Sequence, residues 1–349
     1  MDRYPYILGC LLGTALGDAV GLRREGLSPQ RAARMYGGAP LKPNLIFGFG
    51  FCSDDTEHTQ LVGRALVLSG GDVDDFEREF ARQLKCWLLA VPAGVGFATL
   101  RACLRLLVGI SPARSGVYSA GNGPAMRSAL LGVCAETDQQ LNDLVQRSTR
   151  ITHSDPKAEE AALLVAQAAR IAATCSDVMP SDFLTRAIDR IEGEELCELI
   201  RAASLGLADR RTPMEFAVSQ GWSNGVSGYV NHSVTAALYC WAYSPNSFRR
   251  CVENAVLMGG DTDSVAAIAG AICGANLGSD ELPDDWLEDM AEWPRNNAWM
   301  KGLARTLSEC SGNKQLVPPS MYWPATFLRN LVFAPLVLGL GFRRLLPPY

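Results

Sequence analysis

One stretch of sequence decides both the fold and the site: GGDTDSVAAIAGAICGANL, at residues 259–277. It opens with a glycine turn that carries two aspartates, and from residue 264 onward it is nearly uncharged and rich in Ala and Gly. A helix without a polar face belongs in the interior of a protein. We therefore predict a central, buried helix over residues 264–277 with carboxylates at its start.

The rest of the chain also favours helix, and stretches that alternate like strands are hard to find. No composition shift divides the chain, so we predict an all-α fold in a single domain spanning residues 1–349. Further helices are predicted at residues 73–89, 123–136 and 156–174. Loops rich in Gly and Pro are predicted at residues 37–50, 109–124 and 311–324.

Composition narrows the classes of function. The 349 residues are 48% hydrophobic and 20% charged, which is enough to bury a substantial core. The 32 basic and 37 acidic residues form no long basic stripe, so we expect no nucleic acid partner. The 11 cysteines include no CxxC pair, so neither a zinc ribbon nor a disulfide framework is indicated. We expect a cytoplasmic location.

An apolar run occupies residues 331–342 near the C-terminus. It falls short of the ~20 residues that a membrane helix needs. We predict a buried terminal helix and expect no membrane partner. The flanking Arg329, Arg343 and Arg344 leave attachment to anionic lipid, or to a partner surface, as the alternative.

The first acidic motif is Ser53-Asp54-Asp55-Thr56-Glu57-His58, placed before a plausible helix at residues 59–68. Taken alone, it is explained by capping, with Ser53 or Asp54 as the N-cap. Acidic residues in a first helical turn are favoured by roughly 0.3–1 kcal/mol each through the helix dipole.

The second acidic motif, Asp261-Thr262-Asp263-Ser264, is harder to explain by capping because the helix behind it is apolar. Buried carboxylates need compensation, which a divalent cation supplies. Oxygen ligands favour Mg²⁺ or Mn²⁺ over zinc. An EF-hand is excluded, since its twelfth position would be Ile272. The two acidic turns together could hold a pair of metal ions ~4 Å apart.

Three further segments add polar groups. Glu25, after Gly17-Asp18-Ala19, is explained by itself as a solvated loop carboxylate. The segment Gly121-Asn122-Gly123-Pro124-Ala125-Met126-Arg127 is either a plain glycine turn or a turn whose amides approach a pyrophosphate. In Thr152-His153-Ser154-Asp155-Pro156, Asp155 is predicted as an N-cap with Pro156 at the first helical position. A lone histidine such as His153 is usually structural.

These five motifs, in this order over roughly residues 5–280, resemble those of the ADP-ribosylglycohydrolases. That family includes the enzyme that reactivates ADP-ribosylated dinitrogenase reductase. The resemblance implies an orthogonal, all-helical fold around a dinuclear site with two Mg²⁺ or Mn²⁺ ions. Residues 311–349 form a C-terminal extension outside the strong resemblance.

The resemblance also implies roles for individual residues. Asp55, Glu25 and Asp263 are the implied catalytic residues, with Asp55 and Glu25 as candidates for the base and Glu25 on a loop that covers the site. The implied metal ligands are Ser53, Asp54, Asp55, Asp261, Asp263 and Ser264. The implied substrate-binding residues are Asn122, Gly123, Met126 and His153. Ser53 and Ser264 stand where many members have Thr, and His58 stands where the family usually has Met.

The implied reaction is metal-dependent hydrolysis of the bond between ADP-ribose and a modified side chain. Arginine is the first choice of acceptor and serine the second, with O-acetyl-ADP-ribose as a small-molecule alternative. The implied partners are an ADP-ribosylated protein or an ADP-ribose conjugate, and an ADP-ribosyltransferase toxin is a further candidate. Metal ions would fix the ribose and a water molecule for attack on the anomeric carbon.

Two other classes of function remain open at this point. Asp261-Thr262-Asp263-Ser264-Val265 fits the DxDx[TV] pattern of aspartyl-phosphate phosphotransferases, but that motif should directly end a strand in an α/β chain. A non-catalytic protein of the same fold could instead bind ADP-ribose or a toxin, because fold does not determine function.

Overall fold

The computed structural model describes residues 2–175, 179–310 and 315–347. These residues form helices and isolated bridges, and they contain no strand. Short 3-10 turns occur at Leu22–Arg24, Ala125–Arg127 and Ser279–Glu281. The helices are α1 (Tyr4–Gly21), α2 (Pro29–Tyr36), α3 (Asp54–Ser69), α4 (Val73–Leu89), α5 (Phe97–Leu107), α6 (Pro112–Ser115), α7 (Ala129–Cys134), α8 (Asp138–Arg150), α9 (Pro156–Thr174), α10 (Pro180–Ala187), α11 (Glu194–Ala208), α12 (Pro213–Ser219), α13 (Val230–Tyr243), α14 (Phe248–Leu257), α15 (Thr262–Leu277), α16 (Asp284–Glu288), α17 (Asn297–Glu309) and α18 (Trp323–Arg344).

Helices α1 and α15 lie at the centre, and their backbones are in direct contact. A Cβ atom added to Gly13 would lie 2.2 Å from the carbonyl oxygen of Gly270, and one on Gly17 would lie 2.0 Å from that of Ala266. The other two glycines of α1 on this face are equally close to the backbone of α15. The four glycines of α1 that face α15 are Gly9, Gly13, Gly17 and Gly21.

This glycine repeat, at every fourth residue, is visible in the sequence, although none of the predictions above rests on it. Residues four apart lie on one face of a helix, so the repeat defines a smooth stripe on which α15 packs. The contact places Asp18 of α1 beside the start of α15. As a result, carboxylate oxygens of Asp18, Asp55 and Asp263 lie within 4.8 Å of one another.

The structure confirms the helices predicted at residues 73–89 and 156–174, and it confirms the central buried helix, which begins at Thr262. The helix predicted at residues 123–136 is wrong: a 3-10 turn at Ala125–Arg127 precedes the short helix α7. This break lets the side chain of Arg127 enter the core, where it is fully buried. The loop predicted at residues 109–124 contains the short helix α6. Part of the loop predicted at residues 311–324 lies outside the described residues.

The prediction of a buried terminal helix is also wrong. Helix α18 has 22 residues, and only 28% of its most apolar stretch of 18 residues is buried. Its buried positions include Arg329 and Asn330, because both are bonded to the protein interior. The exposed large apolar side chains of this helix are Phe327, Leu328, Leu331, Val332, Leu338 and Phe342.

Length and composition would allow two helical segments to cross a membrane. Tyr4–Arg24 is 89% buried, as expected for a core helix, whereas Trp323–Arg344 is the exposed helix α18. Core helices of soluble proteins meet the same criterion, so these lengths are weak evidence for a membrane.

The α1–α15 contact gives a testable prediction for stability. Replacing Gly13 by Ala should lower the free energy of unfolding by about 3 kcal/mol, because the new methyl group has no space against Gly270. Replacing Gly339 by Ala in α18 is the matched control, since nothing lies within 4 Å of its added Cβ atom. Chemical denaturation should show the control unchanged or stabilised by about 0.5–1 kcal/mol. Equal effects of the two substitutions would contradict the close contact.

Candidate active site

The first acidic turn is held in place by Asp18. Ser53 caps α3 by accepting a hydrogen bond from the amide of Asp55 at 3.3 Å, which decides between the two predicted caps, Ser53 and Asp54. The Asp18 carboxylate accepts hydrogen bonds from the amide of Ser53 at 2.9 Å and from the hydroxyl of Thr56 at 2.5 Å. No role was predicted for Asp18 from the sequence. In the structure it fixes the turn that carries Asp54 and Asp55.

The second acidic turn is held by the loop that follows α1 and by the segment that precedes α13. Gly260 donates from its amide to the carbonyl of Leu27 at 2.8 Å, and Asp261 donates to that of Val226 at 2.8 Å. Gly260 has φ +80°, and an added Cβ would lie 2.0 Å from the carbonyl oxygen of Val226, so only glycine fits there. This pairing places Glu25, two residues before Leu27, beside the start of α15.

The two turns meet through Asp55. Its Oδ2 accepts hydrogen bonds from the hydroxyl of Ser53 at 3.0 Å and from that of Ser264 at 3.3 Å. The Oδ1 atoms of Asp55 and Asp263 are buried and have no hydrogen-bond partner in the described part of the chain. Buried carboxylate oxygens without partners are rare in folded proteins and point to an ion or ligand.

A cleft of about 290 Å³ opens over these carboxylates. Every site residue predicted from the sequence lines it except Ser53, which lies behind the surface and bonds to Asp55. The structure therefore brings the predicted residues together, while their individual roles stay predictions. The predicted residues in the wall are Glu25, Asp54, Asp55, Asn122, Gly123, Met126, His153, Asp261, Asp263 and Ser264.

The carboxylates of the cleft destabilise one another's charged forms. Burial raises the pKa of Asp55 well above its usual range, and neighbouring Asp18 and Asp54 raise it further. Burial, together with Glu25, likewise raises the pKa of Asp263. Burial raises the pKa of Asp18 to about 6, although its hydrogen bonds oppose this. A divalent cation would relieve this repulsion, and the unpartnered oxygens of Asp55 and Asp263 are suitable ligands for it.

The glycine turn forms the opposite wall of the cleft. The side-chain amide of Asn122 donates to Asp261 Oδ2 at 2.7 Å, so its contact is with a predicted metal ligand. A Cβ on Gly123 would lie 3.1 Å from the ring of His153, which shows how closely this ring supports the turn. Burial lowers the pKa of His153 to about 3, so its imidazole is neutral.

Arg127 lies behind this wall and connects three segments. Its guanidinium donates to the carbonyls of Gly123 at 3.1 Å and Ser148 at 2.8 Å, and it contacts His58 Nδ1 at 3.1 Å. His58 is fully buried and packs edge-on against Trp87, with 4.4 Å between ring centroids. It therefore lies in the core and outside the wall of the cleft. No pattern in the sequence indicated this role for Arg127.

A second cluster of buried charges contacts the first acidic turn on the side away from the cleft. Burial alone would raise the pKa of Glu57, but Arg295 and Arg329 bring it below its usual value. Arg329 of α18 lies 3.5 Å from Glu57 and 2.9 Å from Glu292, and it donates to the carbonyl of Cys52 at 2.5 Å. The chain segment just before Ser53 is thus tied to the C-terminal helix.

Comparisons with known proteins agree with this geometry. The family model described as ADP-ribosylglycohydrolase matches residues 1–316. The chain belongs to the ADP-ribosylglycohydrolase family. It is therefore a hydrolase that acts on glycosidic linkages of ADP-ribose, as the resemblance implied. The all-helical fold predicted from the sequence is confirmed.

Individual members of the family are similar over most of their length. The ADP-ribosyl-[dinitrogen reductase] glycohydrolase of Rhodospirillum rubrum is 29% identical, over 81% of this chain and 89% of that protein. The ADP-ribosylhydrolase ARH3 of Mus musculus is 26% identical, over 87% and 92%. A solved structure titled ADP-ribosylglycohydrolase-related protein complex has a TM-score of 0.66 and 28% identity, covering 89% of this chain and 99% of that one.

The buried cluster around Glu57 gives a prediction for stability. Replacing Arg329 by Met should lower the free energy of unfolding by about 3–5 kcal/mol, because it leaves Glu292 and Glu57 short of a buried partner. Replacing Arg82 by Met breaks only an exposed pair with Glu79 and should change stability by about 0–1 kcal/mol. Denaturant titration of both variants measures the two losses in free energy of unfolding. Similar losses would show that the buried cluster contributes no more stability than the exposed pair.

Proposed function

We propose that this enzyme hydrolyses the N-glycosidic bond between ADP-ribose and a modified arginine side chain, and that it uses two divalent cations, Mg²⁺ or Mn²⁺. The observation that supports the metal site is the pair of buried, unpartnered oxygens on Asp55 and Asp263 in the wall of the cleft. Carboxylate and hydroxyl oxygens are the ligands that these hard cations prefer.

The charge of the cleft supports arginine as the acceptor. Among the described residues that line it, five are carboxylates and none is Lys or Arg. With two divalent cations bound, five ionised carboxylates still leave one net negative charge, which favours a cationic guanidinium over a neutral serine hydroxyl. The relative from Rhodospirillum rubrum is named for an ADP-ribosylated protein, which is the class of substrate we propose.

Asp55 and Glu25 have different roles in the proposed mechanism. When bound, the cations would act as Lewis acids that orient the ribose hydroxyls. Two serine hydroxyls fix the Asp55 carboxylate through its Oδ2 atom, and its Oδ1 atom, which has no hydrogen-bond partner among the described residues, is suited to holding a cation. Glu25 lines the cleft with a partly exposed side chain and is our candidate for the base. It would take a proton from the water that attacks the anomeric carbon while the bond to nitrogen breaks, and it would then give that proton to the departing guanidine, which leaves as guanidinium.

We also propose a cytoplasmic location. All 11 cysteines are free in the structure, and several are buried, which suits a reducing compartment. The relatives give no support for a toxin as a partner, and we propose none.

The test of the function is release of free ADP-ribose from an ADP-ribosyl-arginine protein. We expect release in the presence of Mg²⁺ or Mn²⁺ and none with a chelator. Replacing Asp263 by Asn should lower the rate by at least about 100-fold, because a carboxylate ligand is lost at the mouth of α15. Replacing the exposed Asp209 by Asn is the control and should leave the rate unchanged.

The same assay with other substrates decides the acceptor. Release from ADP-ribosyl-serine or from O-acetyl-ADP-ribose, with none from ADP-ribosyl-arginine, would refute arginine as the acceptor but would support the ADP-ribosyl hydrolase activity. Absence of release from all three would refute the proposed reaction and favour a protein that only binds ADP-ribose.

The shifted pKa values predict how metal binding depends on pH. The pKa values of Asp55 and Asp263 are raised in the metal-free fold, so protons compete with the metal at higher pH than for ordinary aspartates. A raised pKa also means that the metal-free protein gains stability as the pH falls. The increase in Tm caused by Mn²⁺ should therefore be large near about pH 8 and small near about pH 5.5. Calorimetry with Mn²⁺ and with chelator measures it, and an increase independent of pH would contradict the prediction.

A further inference from the structure

Glu25 is in contact with a helix that lies beyond the part of the chain matched by the family model. The match ends at residue 316, and α18 begins at Trp323. At the far end of α18, Arg344 places its Nη1 atom 3.6 Å from Glu25 Oε2. The active-site glutamate and the C-terminal extension are therefore in direct electrostatic contact.

Arg344 contacts both ends of the short turn that presents Glu25. Its Nη2 atom donates a hydrogen bond to the carbonyl of Leu22 at 3.0 Å, and its Nη1 atom faces the carboxylate of Glu25. Leu22 begins the 3-10 turn Leu22–Arg24, and Glu25 follows it. A planar guanidinium can hold two acceptors at once in a fixed geometry, which a single ammonium group cannot.

The end of α18 is itself fastened to the same region. The Arg31 side chain of α2 donates to the carbonyls of Arg344 and Leu346, as basic side chains often do at helix C-termini. On its other side, Glu25 is followed by Gly26 and Leu27, which exchange hydrogen bonds with Gly260. The Glu25 turn is thus held between the second acidic turn and α18.

Arg344 is only partly exposed, with 21% of its side chain accessible, whereas Glu25 is 41% exposed. A contact between exposed charges contributes little to stability. Its effect on a catalytic side chain can be larger, because small displacements of a reacting group lower the rate strongly.

We propose that Arg344 is a positioning residue for hydrolysis, holding Glu25 over the cleft from the C-terminal helix. The inference rests on the proposed function, in which Glu25 is the base. The C-terminal helix is then part of the catalytic apparatus of this chain, although it lies outside the family match.

The test compares Arg344→Ala with Arg343→Ala in the full chain. Arg343 lies on the same helical turn, and the contacts of its guanidinium are with the carbonyls of Leu346 and Pro347. We expect Arg344→Ala to lower kcat about tenfold with little change in KM, since positioning acts on the chemical step. Arg344→Lys should recover part of the loss, and Arg343→Ala should behave like the wild type.

A double-mutant cycle with Glu25→Gln shows whether Arg344 acts through Glu25. We expect Arg344→Ala to have no further effect once Glu25 is replaced. Full additivity of the two losses would overturn the proposal, and so would wild-type kcat in Arg344→Ala.

Amide hydrogen exchange gives a readout that needs no substrate. Residues 22–28 should exchange about tenfold faster in Arg344→Ala than in Arg343→Ala, because the turn loses its clamp. Unchanged exchange would overturn the proposal even if the enzyme is active. A wild type that hydrolyses no substrate but shows the exchange difference would refute the proposed function and leave the clamp itself supported.

Discussion

The direct contact between the backbones of α1 and α15 is the constraint on which the rest of the molecule depends. Four glycines at spacing four allow α1 to approach the Ala- and Gly-rich face of α15, with no side chain between them. The helices therefore bury polar residues at one end of their contact, including Asp18 and Asp263. A residue larger than glycine at any of these four positions would push α1 and α15 apart and so separate the carboxylates that they bring together.

The interior contains two groups of buried carboxylates, and they are compensated differently. Glu57 and Glu292 form ion pairs with Arg295 and Arg329, so the charges of this group are balanced within the protein. In the cleft, Asp55 and Asp263 each keep an oxygen without a hydrogen-bond partner among the described residues, and their pKa values are raised. Charge that the protein leaves uncompensated in a cleft is typical of a site that takes a cation or a substrate. The first group supports the turn on which the second depends.

Helix α18 reverses the usual pattern of an amphipathic helix. Its polar residues Arg329 and Asn330 face the protein, while large apolar residues are exposed. The reason is what the helix contacts. Arg329 donates a hydrogen bond to the buried Glu292, and Asn330 donates one to the carbonyl of Ala90. The two ends of α18 thereby reach both the Cys52–Ser53 segment and the turn of Glu25. The C-terminal part of the chain thus supports the site from two directions.

The sequence by itself determined the helical class, the central apolar helix, the cap at Asp155 and the acidic turns, and it narrowed the cap of α3 to Ser53 or Asp54. These features depend on local periodicity and on hydrogen bonds between near neighbours, which a sequence displays directly. Only the tertiary structure decided the role of Asp18 and the contact of Arg344 with Glu25, because each joins residues distant in the chain. It also decided which face of α18 is buried, since hydropathy alone cannot show that Arg329 forms an ion pair with the buried Glu292.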